Sequence, residues 1–216
     1  MSGTIQTMNY EDLVYQRCVD FFRSFDAEVH PDVYVFALGH EPSWMSEPLP
    51  PNPFAPFGDQ AAIYCPDAIF TCYNTLSNWR TQIPEASDER QAKWNPAFWV
   101  LEDSQEIAPC AIEELSLRDE WCSTLGVPVI EQAENGRPIY GGEELTRASM
   151  GVCRRALEKI HAAGWITEKF GRAVPILIMY YEGALALQSS IAANPHSDEL
   201  QEVIENQDEF PYASDL

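Results

Sequence analysis

The chain has 216 residues with 45% hydrophobic and 12% aromatic content, enough to bury roughly 70% of its unfolded surface, which excludes a disordered polymer and makes one domain over 1–216 the expectation. Its 34 acidic against 13 basic residues give a formal net charge of -21, which disfavours direct binding to nucleic acid and points to solubility or to a basic partner. Residues 1–10 are polar, without a basic lead into an apolar stretch, and the longest apolar run, Val174 to Tyr181, is too short to span a bilayer; the expectation is a cytoplasmic protein with no membrane contact.

Asn9 is placed to cap a helix from about Tyr10 to Phe25, in which Val14, Cys18, Phe21, Phe22 and Phe25 recur at three and four residues. Val33 to Gly39 is apolar on both faces and predicts a central strand. Prolines then crowd the stretch from His40 to Asp59 and favour an extended loop punctuated by Trp44, Met45, Phe54 and Phe57. Ala61 to Cys65 and Ala68 to Tyr73 predict short strands, and Asn74 or Thr75 caps a helix through Gln82. After a polar stretch, Ala97 to Glu102 alternates as a strand, with Phe98 and Val100 on one face and Trp99 and Leu101 on the other.

Helices are expected over about Pro109 to Leu125 and Glu143 to Ala163, the second stopped by Gly164, with a loop between them turning at Asn135-Gly136. Val174 to Tyr181 predicts a second strand at the sheet centre. A helix over Gly183 to Ala193 breaks at Asn194-Pro195, and Ser197 caps a last helix through about Gln207. This order is not the alternation of a doubly wound sheet. It predicts an α+β domain with helices over a mainly antiparallel or mixed sheet, a proline-rich loop at 40–59 and an acidic helical tail at 195–216.

Six cysteines (Cys18, Cys65, Cys72, Cys110, Cys122 and Cys153) are scattered among apolar neighbours, which predicts buried reduced thiols. A zinc site from His30, His40, Cys65 and Cys72 has no ligand spacing to support it, and no metal or cofactor is expected. No phosphate loop, nucleophile elbow or metalloprotease helix is present. The adjacent pairs Glu113-Glu114 and Glu143-Glu144 diverge by about 100° on a helix and predict solvated side chains, not a joint site. His161 falls near a helix C-terminus, where a positive imidazole suits the macrodipole. No catalytic residue is assigned.

Val-Tyr-Val-Phe-Ala-Leu at 33–38, the Asn74-Thr75 pair, Lys93 to Glu102, Cys153 to Leu157 and Pro175 to Ile178 together resemble a bacterial family known only as domain of unknown function 4303. The resemblance implies an immunity or defence-associated protein and brings no catalytic residues. It implies that specific binding resides in what departs from the family's shorter pattern: the stretch from Glu41 to Asp59 and the tail after Ser190.

Charge is polarised along the chain, with no Lys or Arg after Arg172. Toward the last helix Asp198, Glu202, Glu205 and Glu209 recur at roughly helical spacing beside an apolar stripe of Leu200, Val203 and Ile204, which predicts a docked helix presenting carboxylates outward, with Asp198, Glu199, Glu202, Glu205, Asp208 and Glu209 as candidate partner-binding residues. The expected function is a non-enzymatic immunity or inhibitor protein that covers a basic partner such as a toxin, with Trp44 and Phe54 as apolar anchors. The alternatives are an enzyme whose site is assembled from scattered residues and an acidic mimic of nucleic acid.

Overall fold

Helix α1 (Tyr10–Ser24) starts at the predicted cap: the Asn9 side-chain oxygen accepts the N–H of Asp12 at 2.9 Å, satisfying one of the donors that a first helical turn leaves without a partner. Leu13, Val14, Cys18, Phe21 and Phe22 form its buried stripe, and Phe25 lies just past its end. The computed structural model describes residues 8–40, 69–95, 98–100, 105–109, 112–133, 136–179 and 183–206. The proline-rich stretch beyond His40, with Trp44 and Phe54, the strand expected at 61–65, and Asp208 and Glu209 lie outside the described residues.

Strands β1 (Val33–His40), β2 (Ile69–Thr75) and, later in the chain, β3 (Glu106–Ala108) and β6 (Ile176–Met179) form a mixed sheet in the order β3-β2-β1-β6. β1 is antiparallel to β2 and parallel to β6, and β2 is antiparallel to β3. Between β2 and β3 come α2 (Leu76–Gln82), capped by Thr75, and α3 (Glu89–Trp94). After β3 come α4 (Ile112–Leu125), a hairpin of β4 (Val129–Gln132) and β5 (Pro138–Tyr140), α5 (Glu143–Ala162) and α6 (Trp165–Phe170). β6 is followed by α7 (Gly183–Ala193) and α8 (Asp198–Glu205). The result is an α+β domain.

Each strand face has its own cover. Phe36, Leu38, Ile69, Tyr73, Ile176 and Ile178 pack against the apolar stripes of α1 and α5, which contribute Cys18, Phe22, Met150, Cys153 and Leu157. On the other face, Val35, Ala37, Cys72 and Leu177 pack under Trp94, Trp99, Leu187 and Val203. A register shift between Val33 and Val35 breaks the alternation of β1, so that Tyr34 joins Val35 on this second face. Gly39 lies opposite Phe70, whose ring covers it so closely that a Cβ there would stand 2.2 Å from the ring.

The structure corrects several expectations. β6 does not lie at the sheet centre; it ends the strand order, and α7 closes its outer edge. There the Asn194 side chain accepts the N–H of Ile176 and donates to its carbonyl, both at 2.8 Å, while Ser190 Oγ accepts the N–H of Ile178 at 2.8 Å. With both faces and the edge covered, β6 carries the apolar sequence of a central strand. Within 98–100, where a strand was expected, only Val100 pairs, in a single bridge to Tyr73. The expected loop between α4 and α5 contains the β4–β5 hairpin, with Gly136 at φ +80° in its turn.

Across the helical layer, Arg155 of α5 grips the Glu11 carboxylate of α1 with two hydrogen bonds of 2.6 and 3.0 Å. These bonds lead the effects that hold the Glu11 carboxyl below its ordinary value, against an opposing push from burial. A depressed folded-state pKa gives stability that is present above the unfolded value, about 4.3, and lost as pH falls through the folded one. Arg155→Gln is therefore expected to flatten the acid limb of a urea-midpoint profile below about pH 4.5, and to move the Glu11 titration upward by NMR. An unchanged Glu11 titration would contradict the assignment.

Candidate functional site

Helix α8 is where the predicted partner-binding residues meet the body of the protein. Ser197 Oγ caps it by accepting the Leu200 N–H at 3.1 Å, and Asp198 and Glu199 in the first turn suit the positive end of the helix dipole. Leu200 and Val203 are buried, and Val203 enters the second core face with Trp94 and Trp99. Full burial of two such side chains contributes roughly 3 to 6 kcal/mol before chain entropy is counted.

Polar ties complete the docking. Arg172 pairs with Glu199 at 2.5 Å and donates to the Val33 carbonyl; Lys93 pairs with Glu202 at 2.5 Å. Arg90 Nε donates to Asn206 Oδ1 at 2.5 Å. Glu199 and Glu202 thus attach α8 to the body, while Asp198 and Glu205 are exposed.

The Lys93 ammonium is also ringed by aromatic faces, 5.0 Å from the Trp94 ring centre, 5.3 Å from Tyr34 and 6.0 Å from Trp79. Its backbone carbonyl accepts from Tyr34 Oη at 2.5 Å, Trp99 Nε1 at 3.1 Å and Asn74 Nδ2 at 3.3 Å. The fully buried Asn74 accepts in turn from the Thr75 N–H and from Asn78 Nδ2. Tyr34, Asn74, Lys93 and Trp99, far apart in sequence, therefore hold β1, β2, α2 and α3 in one arrangement under α8. Burial, reinforced by the Glu202 carboxylate, pushes the Tyr34 hydroxyl up, so it stays a neutral donor.

Lys93→Met should leave Glu202 without its cation and loosen α8. The expected result is hydrogen exchange in 198–205 faster by about tenfold or more, with β1 unchanged, for a tie worth about 1 to 2 kcal/mol. Unchanged α8 exchange would show that Leu200 and Val203 suffice.

The ties at Arg90 and Lys93 set α3 beside α8, and with it the exposed side chains of Glu85, Asp88 and Glu89. These and Asp198 and Glu205 are exposed carboxylates on the two tied segments, the α3–α8 face, and the cations of those ties, Arg90, Lys93 and Arg172, are all engaged internally. The α3 carboxylates escape a reading based on the tail alone. Their signal is the Asp88-x-x-Gln91 spacing: Asp88 accepts the Gln91 N–H and the Gln91 side chain accepts the Ser87 N–H, both at 2.8 Å.

No cluster of three or more His, Cys, Asp or Glu fit to hold a metal occurs among the described residues. His30 packs on Phe25 and Tyr73 on one sheet face, whereas Cys72 is buried on the other, so these two do not converge. Cys18, Cys72, Cys122 and Cys153 are buried thiols outside any disulfide, and burial pushes the Cys72 thiol up to about 12, far from a reactive thiolate. Ser77 donates its hydroxyl to the Asp32 carboxylate at 2.5 Å. His161, expected as a surface cation, is half-buried with Nε2 2.9 Å from Asn194 Oδ1, and burial lowers its pKa, favouring the neutral ring. Of the paired glutamates expected to be solvated, Glu114 is half-buried on Arg17 at 2.5 Å.

No helix among the described residues is long and apolar enough to cross a membrane. Compared with known protein families, curated proteins and solved structures, the chain matches none of them.

Proposed function

We propose that this chain is a non-enzymatic binding protein of the immunity or inhibitor type, acting in the cytoplasm by covering a basic protein partner such as a bacterial toxin. The observation that carries the reading is the fate of the positive charges. Each of the 13 Lys and Arg residues lies against a carboxylate, a carbonyl or amide oxygen, or an aromatic ring of the same molecule. With 34 acidic residues, an excess of 21 negative charges (34 − 13) remains for the surface. A surface of that sign speeds encounter with a basic partner and repels nucleic acid.

The α3–α8 face fits such a role because it offers exposed carboxylates on helices already fixed to the core, which lowers the ordering cost of association. The resemblance to domain of unknown function 4303, with its defence association, belongs to the same proposal. The test is capture with the tagged protein from cells that produce it. At low salt it should retain a protein rich in Lys and Arg, released as salt is raised to about 0.5 M. An acidic partner, or capture indifferent to salt, would contradict the reading. A captured DNA-binding protein whose nucleic-acid site is the one covered would replace the toxin reading with mimicry.

A further inference from the structure

A second surface of different character lies at the β4–β5 hairpin. β4 pairs with β5 on one side and with no strand on the other among the described residues, and all four of its residues are exposed. Val129 is 50% and Ile130 59% exposed, and Leu125, at the end of α4, is 53% exposed. Within six consecutive positions these are half of the large hydrophobic side chains exposed among the described residues.

The hairpin is anchored. Tyr140 and Val127 enter a small core with Cys122 and Leu145, the Gly141 N–H donates to the Pro128 carbonyl at 3.2 Å, and the Ala133 N–H donates to Arg137 at 2.9 Å. An edge held in this way is a ready template for a further strand, and proteins usually blunt such edges with Lys or Pro. β4 has neither. A register shift between Val129 and Glu131 and the single charge of Glu131 are what it carries instead.

Charge decides what could cover it. No Lys or Arg occurs between Arg118 and Arg137, and both of these are held by Asp119, at 3.0 and 3.5 Å. Exposed Glu120, Glu131 and Glu144 belong to the elements around the edge. A second copy carries the same net charge of -21 and would bring the same carboxylates to the edge, so its approach is opposed. An extended segment alternating apolar residues with Lys or Arg satisfies all three features: backbone pairing along the edge, cover for Val129 and Ile130, and partners for the carboxylates.

We propose that the outer edge of β4 is a docking site for an extended basic segment of a partner protein, which adds to the hairpin as a third strand. The sign of the partner's charge rests on the function proposed above, but the surface is separate from the α3–α8 face.

The experiment selects a displayed library of short random peptides on the full chain at about 50 mM salt. Enriched peptides should alternate apolar and basic residues and slow amide exchange in Val129–Gln132. Their affinity should fall at least about tenfold for Glu131→Lys, which leaves the backbone untouched, and for Ile130→Pro, which interrupts the edge. Neutralising Glu89 and Glu205 should leave peptide affinity unchanged, so failure of the α3–α8 reading stays distinguishable. Three results would overturn the proposal: no enriched peptide, peptides that bind both β4 variants as well as the original, or a dimer in sedimentation with β4 protected by a second copy.

Discussion

Asn194→Ala is expected to lower the unfolding free energy by about 3 to 5 kcal/mol, a large share of the 5 to 15 kcal/mol that holds a typical domain. The side chain is 9% exposed and makes four hydrogen bonds: it accepts from the Ile176 N–H and from His161, and donates to the carbonyls of Ile176 and Ser190. Its loss leaves both backbone groups of a buried strand edge without partners, at about 1 to 3 kcal/mol each. Ser190→Ala orphans only the Ile178 N–H and should cost about 1 to 2 kcal/mol. The check is a urea midpoint at unchanged slope. A loss under about 1 kcal/mol for Asn194→Ala would mean that water reaches the edge of β6 and replaces the amide.

His161 adds a pH signature to the same joint. Burial lowers its pKa, so its contribution is present above the unfolded value of about 6.5 and is lost as pH falls below that value toward the folded one. His161→Gln should remove this part of the pH dependence.

What could be read from the sequence follows from whether a signal is local. Asn9, Thr75 and Ser197 each accept the N–H three residues ahead, so helix starts were legible from residue type and position alone. The place of β6 was not, because its apolar run reflects cover by α7, a contact between separate elements. The clue lay at the end of α7: Ser190 and Asn194, the residue just past the helix, are four residues apart and are the polar groups that reach the strand.

The candidate face was legible in part. At about 100° per residue, Asp198 and Glu205 point roughly 170° away from the Leu200–Val203 stripe, whereas Glu199 and Glu202 lie about 70° and 130° from it. That difference separates the exposed carboxylates from those that meet Arg172 and Lys93. The cations themselves were not legible, since Lys93 comes from α3 and Arg172 from just past the end of α6, both distant from α8 in sequence. The β4–β5 hairpin escaped because its strands are only 4 and 3 residues long and one is wholly exposed, leaving no buried alternation to read.

For binding, the largest effect is expected from neutralising Glu85, Glu89, Asp198 and Glu205 together, as Gln or Asn, while Glu199 and Glu202 keep their structural partners. All four are exposed, so the fold should change by no more than about 0.5 kcal/mol per site. At about 0.2 to 1 kcal/mol each, their loss should weaken association with the captured basic partner by about 1 to 4 kcal/mol, a factor of roughly five to a thousand. Most of the loss belongs in the association rate, because exposed charges act on encounter, and it should shrink as salt is raised.

A matched variant that neutralises Asp20, Glu28, Glu158 and Glu168, exposed away from both proposed surfaces, separates a specific face from total charge. The direct test is the association rate of the purified pair, followed across salt concentration for the two variants and the original chain. The account predicts a slow α3–α8 variant at low salt, a matched variant close to the original, and convergence of all three at high salt. Equal rates for the two folded variants would contradict it and leave the acidity as a property of the whole surface.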